Sequence, residues 1–240
     1  MIMIFDSDVR VVTIMEGLRS SNEIRQSEAA SELAEMLLLG NEESLPNLPV
    51  KDIVHALIAL LQKEHNFELV SSKFISHHIF IFISVYPCKS LWIEASQMLT
   101  AARCISNMLE ALPRALPIVI DAVPYLLEKL KRIECIDVAE QSLMALEVMS
   151  KRNGKNIMAA GGIAATISHV DFFSVPSQRL AFQIAANCAS FVTVNDFAQV
   201  RDSLADLTQR LLIEVCCENV FCHVFIKISL DNFDIPYIFG

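Results

Sequence analysis

Apolar residues recur at helical spacing along most of the chain, which predicts helices of 8 to 16 residues. Ile53, Ala56, Leu57, Leu60 and Leu61 form one stripe. Leu126, Leu127 and Leu130 begin a second, and Val138, Leu143, Leu146 and Met149 a third. Pro46, Pro49, Pro113, Pro117, Pro124 and Pro176 fall between these segments or at their starts, where a missing N–H costs least. Asn153-Gly154 is expected to close a helix that ends in Lys151 and Arg152, cations suited to its negative end.

The stripes repeat. AVPYLLEKL (122–130) resembles GIAATISHV (162–170), and ALEVMS (145–150) resembles AANCAS (185–190), both 40 positions apart. SEAASELAEML (27–37) matches AEQSLMALEVM (139–149) at an offset of 112, and DIVHALIAL (52–60) matches AVPYLLEKL at 70. Removing the 28 residues Val70 to Gln97 turns these offsets into 84 and 42, multiples of a 42-residue period. That stretch is rich in Phe and Ile, holds the single Trp (Trp92), and breaks the surrounding rhythm. It therefore reads as an insert, 70–97, within a repeat. Units are expected at 8–39, 50–111, 112–152 and 153–191, with a partial fifth at 195–214.

A period of 40 to 42 residues built from paired or tripled helices lies in the armadillo/HEAT range. No such unit can bury its apolar face alone, so neighbours must stack into a right-handed superhelix with an extended concave surface. The expected fold class is all-α: an armadillo-like right-handed solenoid over 8–214, with the 70–97 insert and a tail, 215–240, that abandons the helical pattern. Neither end carries an obvious polar cap, which suits a segment of a longer array. The edges of the insert fit an intron read through in frame, because valine codons begin with GT and Gln97 can be encoded by CAG. The tail also opens on a valine, Val215.

The turn Ala160-Gly161-Gly162-Ile163 resembles the armadillo turn between a short helix and the second helix. QRLAFQIAANCAS resembles the third helix, with Asn187 at its characteristic Asn position, and AARCISNML places Asn107 similarly. The longer run ALPRALPIVIDAVPYLLEKLKRIECIDVAEQSLMALEVMSKRNGKNIMAAGGIAA is similar to one particular family. FFSVPSQRLAFQIAANC and DSLADLTQRL continue the similarity. That family is the HECT-type E3 ubiquitin ligases of the thyroid-receptor-interacting and ubiquitin-fusion-degradation group, in their armadillo region. The resemblance covers roughly residues 8–69 and 98–213. It implies a protein-binding scaffold that helps recognise substrates, such as ubiquitin fusions or degron-bearing proteins, for ubiquitination and proteasomal degradation. Nothing in the chain corresponds to a HECT domain or its catalytic Cys, so no catalytic residue carries over and the chain is expected to be inactive alone. The alternative is a free-standing armadillo adaptor, which would need a regular Asn/Trp ladder. A third reading is a truncated, insert-bearing product less stable than the same chain lacking 70–97.

Asn107 and Asn187 are the candidate groove residues. In armadillo proteins this Asn hydrogen-bonds the backbone of an extended peptide, giving affinity without dictating sequence. The intermediate repeat has Glu147 or Val148 at that place, so the ladder is irregular, and an Asn capping or bridging within its own repeat is at least as good a reading.

Composition narrows the function. A formal net charge of −9 argues against sequence-independent nucleic-acid binding and against an anionic membrane surface. The most apolar run, 74–85, is about a dozen residues and too short for a bilayer span, which needs ~20. The start MIMIFDSDVR is a poor signal peptide, and seven Cys is an odd number; both point to the nucleus and/or cytoplasm. Cys216-Cys217 with Cys222-His223 lacks the second knuckle a zinc site wants, and adjacent His77-His78 on a strand would face opposite ways. No metal or cofactor is expected. Cys104, Cys135 and Cys188 read as core thiols rather than nucleophiles. Glu128, Lys129, Lys131 and Arg132 read as a solvated helix face. Gly161-Gly162 lacks the strand and the following Lys-Ser/Thr of a phosphate loop.

Overall fold

A computed structural model describes residues 2–63, 88–193, 196 and 200–203; among these the chain forms helices and turns only. It divides into two compact units, Met1–Ala122 and Val123–Gly240.

The first unit holds α1 (Ile2–Leu18), α2 (Glu23–Leu39), α3 (Val50–Leu61), α4 (Cys88–Ala111) and a short α5 (Leu116–Val119) between two 3₁₀ turns. α2 and α3 begin where the sequence supplies a start. The Asn22 side chain accepts from the Ile24 and Arg25 amides at 2.9 and 3.3 Å, capping α2 above Glu23. Pro49 precedes α3, which carries Asp52 in its first turn. α2 packs along α4, α1 against α2, and α3 against α4. Leu33, Leu37, Leu57, Leu61, Ile105 and Met108 are buried between them. Each such side chain contributes about 1.5–3 kcal/mol by leaving water.

The second unit holds α6 (Val123–Lys131), α7 (Ile136–Ala159), α8 (Gly162–Ile167) and α9 (Val175–Ala189). α7 packs along α9 and α6 against α7, around Leu126, Leu130, Leu146, Met149 and Ile184. The helical stripes of the sequence are therefore the buried faces; Ala56 is half-buried.

As expected, the helix that carries Lys151 and Arg152 near its end is closed at Asn153. The backbone there is non-helical (φ −136°, ψ 32°), and a second helix, running to Ala159, meets the first across this kink, so α7 comprises both. Gly154 lies outside the left-handed region. Its role is room, because a Cβ there would meet the Asn187 carbonyl oxygen and the Phe191 ring, both at 2.9 Å. At 161 the expected turn is present: Gly161 adopts φ 83°, ψ 27° and starts α8.

The insert differs from expectation at its end. Residues 70–87 lie outside the described residues, but from Cys88 the chain is helical and runs unbroken through 97/98 into α4. Extending an existing helix needs no new nucleus, so the weak amphipathic pattern there suffices. Gln97, the last insert residue, is fully buried. Its Nε2 donates to the Glu23 carbonyl at 2.7 Å, and its Oε1 accepts from Lys63 Nζ at 2.6 Å. Lys63 Nζ also donates to Gln26 Oε1 at 2.8 Å, and Gln26 Nε2 to the Leu18 carbonyl at 3.3 Å. This clasp ties the α1–α2 turn and the end of α3 to α4. His77-His78, the Cys216-Cys217/Cys222-His223 set, the 215–240 tail and most of the partial unit 195–214 lie outside the described residues.

Candidate functional site

The candidate surface in each unit is the pair of long helices that carries the candidate Asn, α2 with α4 and α7 with α9. In the first unit, two α4 side chains three positions apart reach α2 carbonyls four positions apart. Cys104 Sγ donates to the Ala30 oxygen at 3.3 Å and Asn107 Nδ2 to the Ala34 oxygen at 3.1 Å. Those carbonyls lie inside α2 and use their second lone pair for these bonds. Asn107 is half-buried at the seam. Beside it α2 exposes Glu28 and Glu35, while Glu32 pairs with Arg10 at 3.2 Å.

In the second unit the same seam carries a longer polar chain. Gln183 Nε2 donates to Asn187 Oδ1 at 3.2 Å, Asn187 Nδ2 donates to Ser150 Oγ at 2.8 Å, and Ser150 Oγ donates to the Glu147 carbonyl at 2.8 Å. Glu147 is also fixed through its carboxylate, 2.8 Å from Lys151 Nζ. At the other end of the seam Glu140 Oε1 accepts from the Ser174 amide at 2.7 Å, satisfying a free N–H at the start of α9.

Both candidate residues thus sit on long helices, and each spends one amide hydrogen on the long helix packed alongside, Asn107 on α2 and Asn187 on α7. Sequence reasoning missed Ser150, Gln183 and Glu140. Gln183 had a local signal, since a residue four positions before Asn187 shares its helix face.

The remaining candidates show no reactive geometry. Cys104 and Cys188 are buried, and loss of solvation pushes both thiols up to about 12; the Arg103 charge offsets this slightly at Cys104. Cys135, expected as a core thiol, is instead half-exposed, because it stands in the turn that caps α7 rather than on a buried helix face. Among the described residues no group of three His, Cys, Asp or Glu side chains could hold a metal ion. No described helix is long and apolar enough to cross a membrane. Glu128, Lys131 and Arg132 are exposed, Lys129 is half-exposed, and Arg132 pairs with Glu134 at 3.4 Å. Gly161 and Gly162 shape the entry to a helix of only six residues.

Comparison with known proteins places this geometry. No family model matches the chain. It is 42% identical over 199 residues to the E3 ubiquitin-protein ligase TRIP12 of Danio rerio, covering 82% of this chain and 8% of that protein. It is 32% identical over 205 residues to the E3 ubiquitin-protein ligase UPL3 of Arabidopsis thaliana, covering 84% and 9%. Ubiquitin fusion degradation protein 4 of Saccharomyces cerevisiae is 32% identical over 121 residues, covering 50% and 8%. The chain therefore spans under a tenth of the length of these relatives. Among solved structures, computationally designed armadillo repeat proteins for modular peptide recognition superpose with a TM-score of 0.63 at 16% identity, covering 90% of this chain and 79% of theirs. A designed armadillo repeat protein in complex with a (KR)4 peptide gives 0.58 at 15% identity, with 90% and 79% covered. The fold is armadillo-like, and the curated homologues are HECT-type E3 ubiquitin ligases.

Proposed function

We propose, from the chain's homology to a segment of HECT-type E3 ubiquitin ligases, that it is the substrate-binding armadillo array of such a ligase. The array holds an extended protein segment on its third-helix faces and presents that protein for ubiquitination and proteasomal degradation, in the nucleus or cytoplasm. The observation that carries this reading is the pairing of ligase homology with an armadillo-like fold. Ubiquitin transfer then belongs to another part of the ligase, and this chain binds.

Binding of an extended segment uses main-chain hydrogen bonds for affinity and side-chain pockets for choice. Asn107 and Asn187 each retain one amide hydrogen beyond the bond they already make, and each has acceptor capacity left on Oδ1. They are the residues that would meet the bound backbone. The test is fluorescence anisotropy with the full chain and a labelled, uncleavable linear ubiquitin fusion bearing an unstructured extension. Saturable binding, weakened several-fold by Asn107→Ala and Asn187→Ala, is expected. No binding at about 100 μM, well above the ~1 μM scale of modest peptide recognition, would overturn the reading.

A further inference from the structure

The hydrogen-bond chain across α7 and α9 has a direction. The hydroxyl of Ser150 owns a single proton, and that proton is committed to the Glu147 carbonyl, 2.8 Å away. Toward Asn187, Ser150 can therefore only accept. This forces the Asn187 amide nitrogen to face Ser150 and its oxygen to face Gln183, which donates from Nε2. Every donor in the series points the same way, so each bond polarises the next. Ser150 is buried at 1% exposure, whereas Gln183 and Asn187 are half-buried at the seam. The hidden end of the chain is anchored and the amide lies at its outer part.

An Asn amide offers two N–H donors and two lone pairs. At Asn187 one of each is taken, which leaves one donor and one acceptor in a fixed orientation. That pair matches the C=O and N–H of a single residue in an extended main chain. Asn107 differs: its Nδ2 is held by the Ala34 carbonyl, and no described residue bonds its Oδ1. Its amide is steadied at one end, that of Asn187 at both.

We propose that Ser150 and Gln183 are positioning residues that pre-orient the Asn187 amide to receive the main chain of an extended polypeptide. The inference rests on the peptide-binding reading above. Fixing a side chain before binding removes part of the ordering cost of association. The second unit therefore binds the segment with the larger Asn contribution, and part of that contribution belongs to Ser150.

The experiment is a double-mutant cycle on the full chain, read by anisotropy with the labelled ubiquitin fusion and by thermal melting in parallel. Asn187→Ala is expected to weaken binding about tenfold and Asn107→Ala about threefold, the range of one or two net hydrogen bonds. Ser150→Ala weakens binding about threefold with Asn187 present and has no further effect on affinity in the Asn187→Ala chain. Ser150→Thr, which keeps the hydroxyl, restores most of the affinity. A purely structural role for Ser150 would lower the melting temperature and the affinity equally in both backgrounds. An additive cycle, or a silent Ser150→Ala beside a damaging Asn187→Ala, overturns the positioning role while sparing the peptide-binding reading. Failure of the unmodified chain to bind the fusion overturns both.

Discussion

Gly161 and Gly162 are adjacent, yet the fold needs them for opposite reasons, and substitution separates the two. Gly161 sits at φ 83°, and a Cβ built on it meets nothing within 4 Å. Its constraint is backbone conformation alone. Placing an L-residue in the left-handed region costs roughly 1–2 kcal/mol. Restricting the unfolded chain returns about 0.4–1 kcal/mol. Gly161→Ala should therefore destabilise by about 1 kcal/mol, and Gly161→Asn by about half as much, because Asn tolerates this region. Gly162 is an ordinary helical residue, but a Cβ there would lie 2.7 Å from the Ile157 carbonyl oxygen and against Ile157 Cγ2. Its constraint is space. Overpacking costs about 1–3 kcal/mol, offset by the roughly 1 kcal/mol that Ala gains over Gly in a helix. Size makes Asn worse than Ala at 162, so the order reverses between neighbours. Urea unfolding followed by circular dichroism reads this directly. With a slope of about 2 kcal/mol per molar urea, 1 kcal/mol moves the midpoint by about 0.5 M. A Gly161→Ala midpoint equal to that of the parent chain, or the same Ala/Asn order at both positions, would refute the reasoning.

Other outcomes follow from the buried groups. Thiols pushed up to about 12 carry almost no thiolate at pH 8, so Cys104 and Cys188 should resist iodoacetamide in the folded chain while half-exposed Cys135 reacts; peptide mass spectrometry distinguishes them. Between pH 9 and about 12 the unfolded chain releases these protons and the folded chain keeps them, so stability falls as pH rises. That decline should be shallower in the Cys104→Ala/Cys188→Ala chain, by up to about 1.4 kcal/mol per pH unit for each thiol. In the Lys63–Gln97 clasp, Gln97→Leu should cost about 2 kcal/mol in thermal melting, because it strips an acceptor from a half-buried ammonium and a donor from the Glu23 carbonyl. Lys63→Met made in the same chain should recover part of that loss; strict additivity of the two changes would show that the residues do not act together.

The repeat was readable from sequence because it rests on periodicity. The stripes at Ile53 to Leu61 and Leu126 to Leu130 are buried helix faces apart from Ala56. The expected boundary at 152/153 falls on the bend at Asn153. That Asn107 and Asn187 lie on helices was equally accessible, since both fall within apolar stripes of helical period. Their partners were not. Ser150 lies 37 positions from Asn187 and the Ala34 carbonyl 73 from Asn107, and no hydrophobic rhythm encodes a polar contact across a seam. The clasp escaped for the same reason, with an added one: Gln97 stands at the edge of a stretch whose composition sets it apart. A composition change marks where sequence character shifts, while burial depends on what the rest of the unit leaves open, here the ends of α1 and α3.

The bend at Asn153 also has a practical consequence for dissecting the chain. Two helices meet there across a kink with no loop between them, and Gly154 is lodged against the Asn187 carbonyl and the Phe191 ring. A fragment cut at the kink would expose a raw helix end on both halves and remove the surface on which α9 closes. Truncations meant to isolate a working piece should instead be cut between Ala122 and Val123, where the two compact units part, which keeps α6, α7 and α9 together.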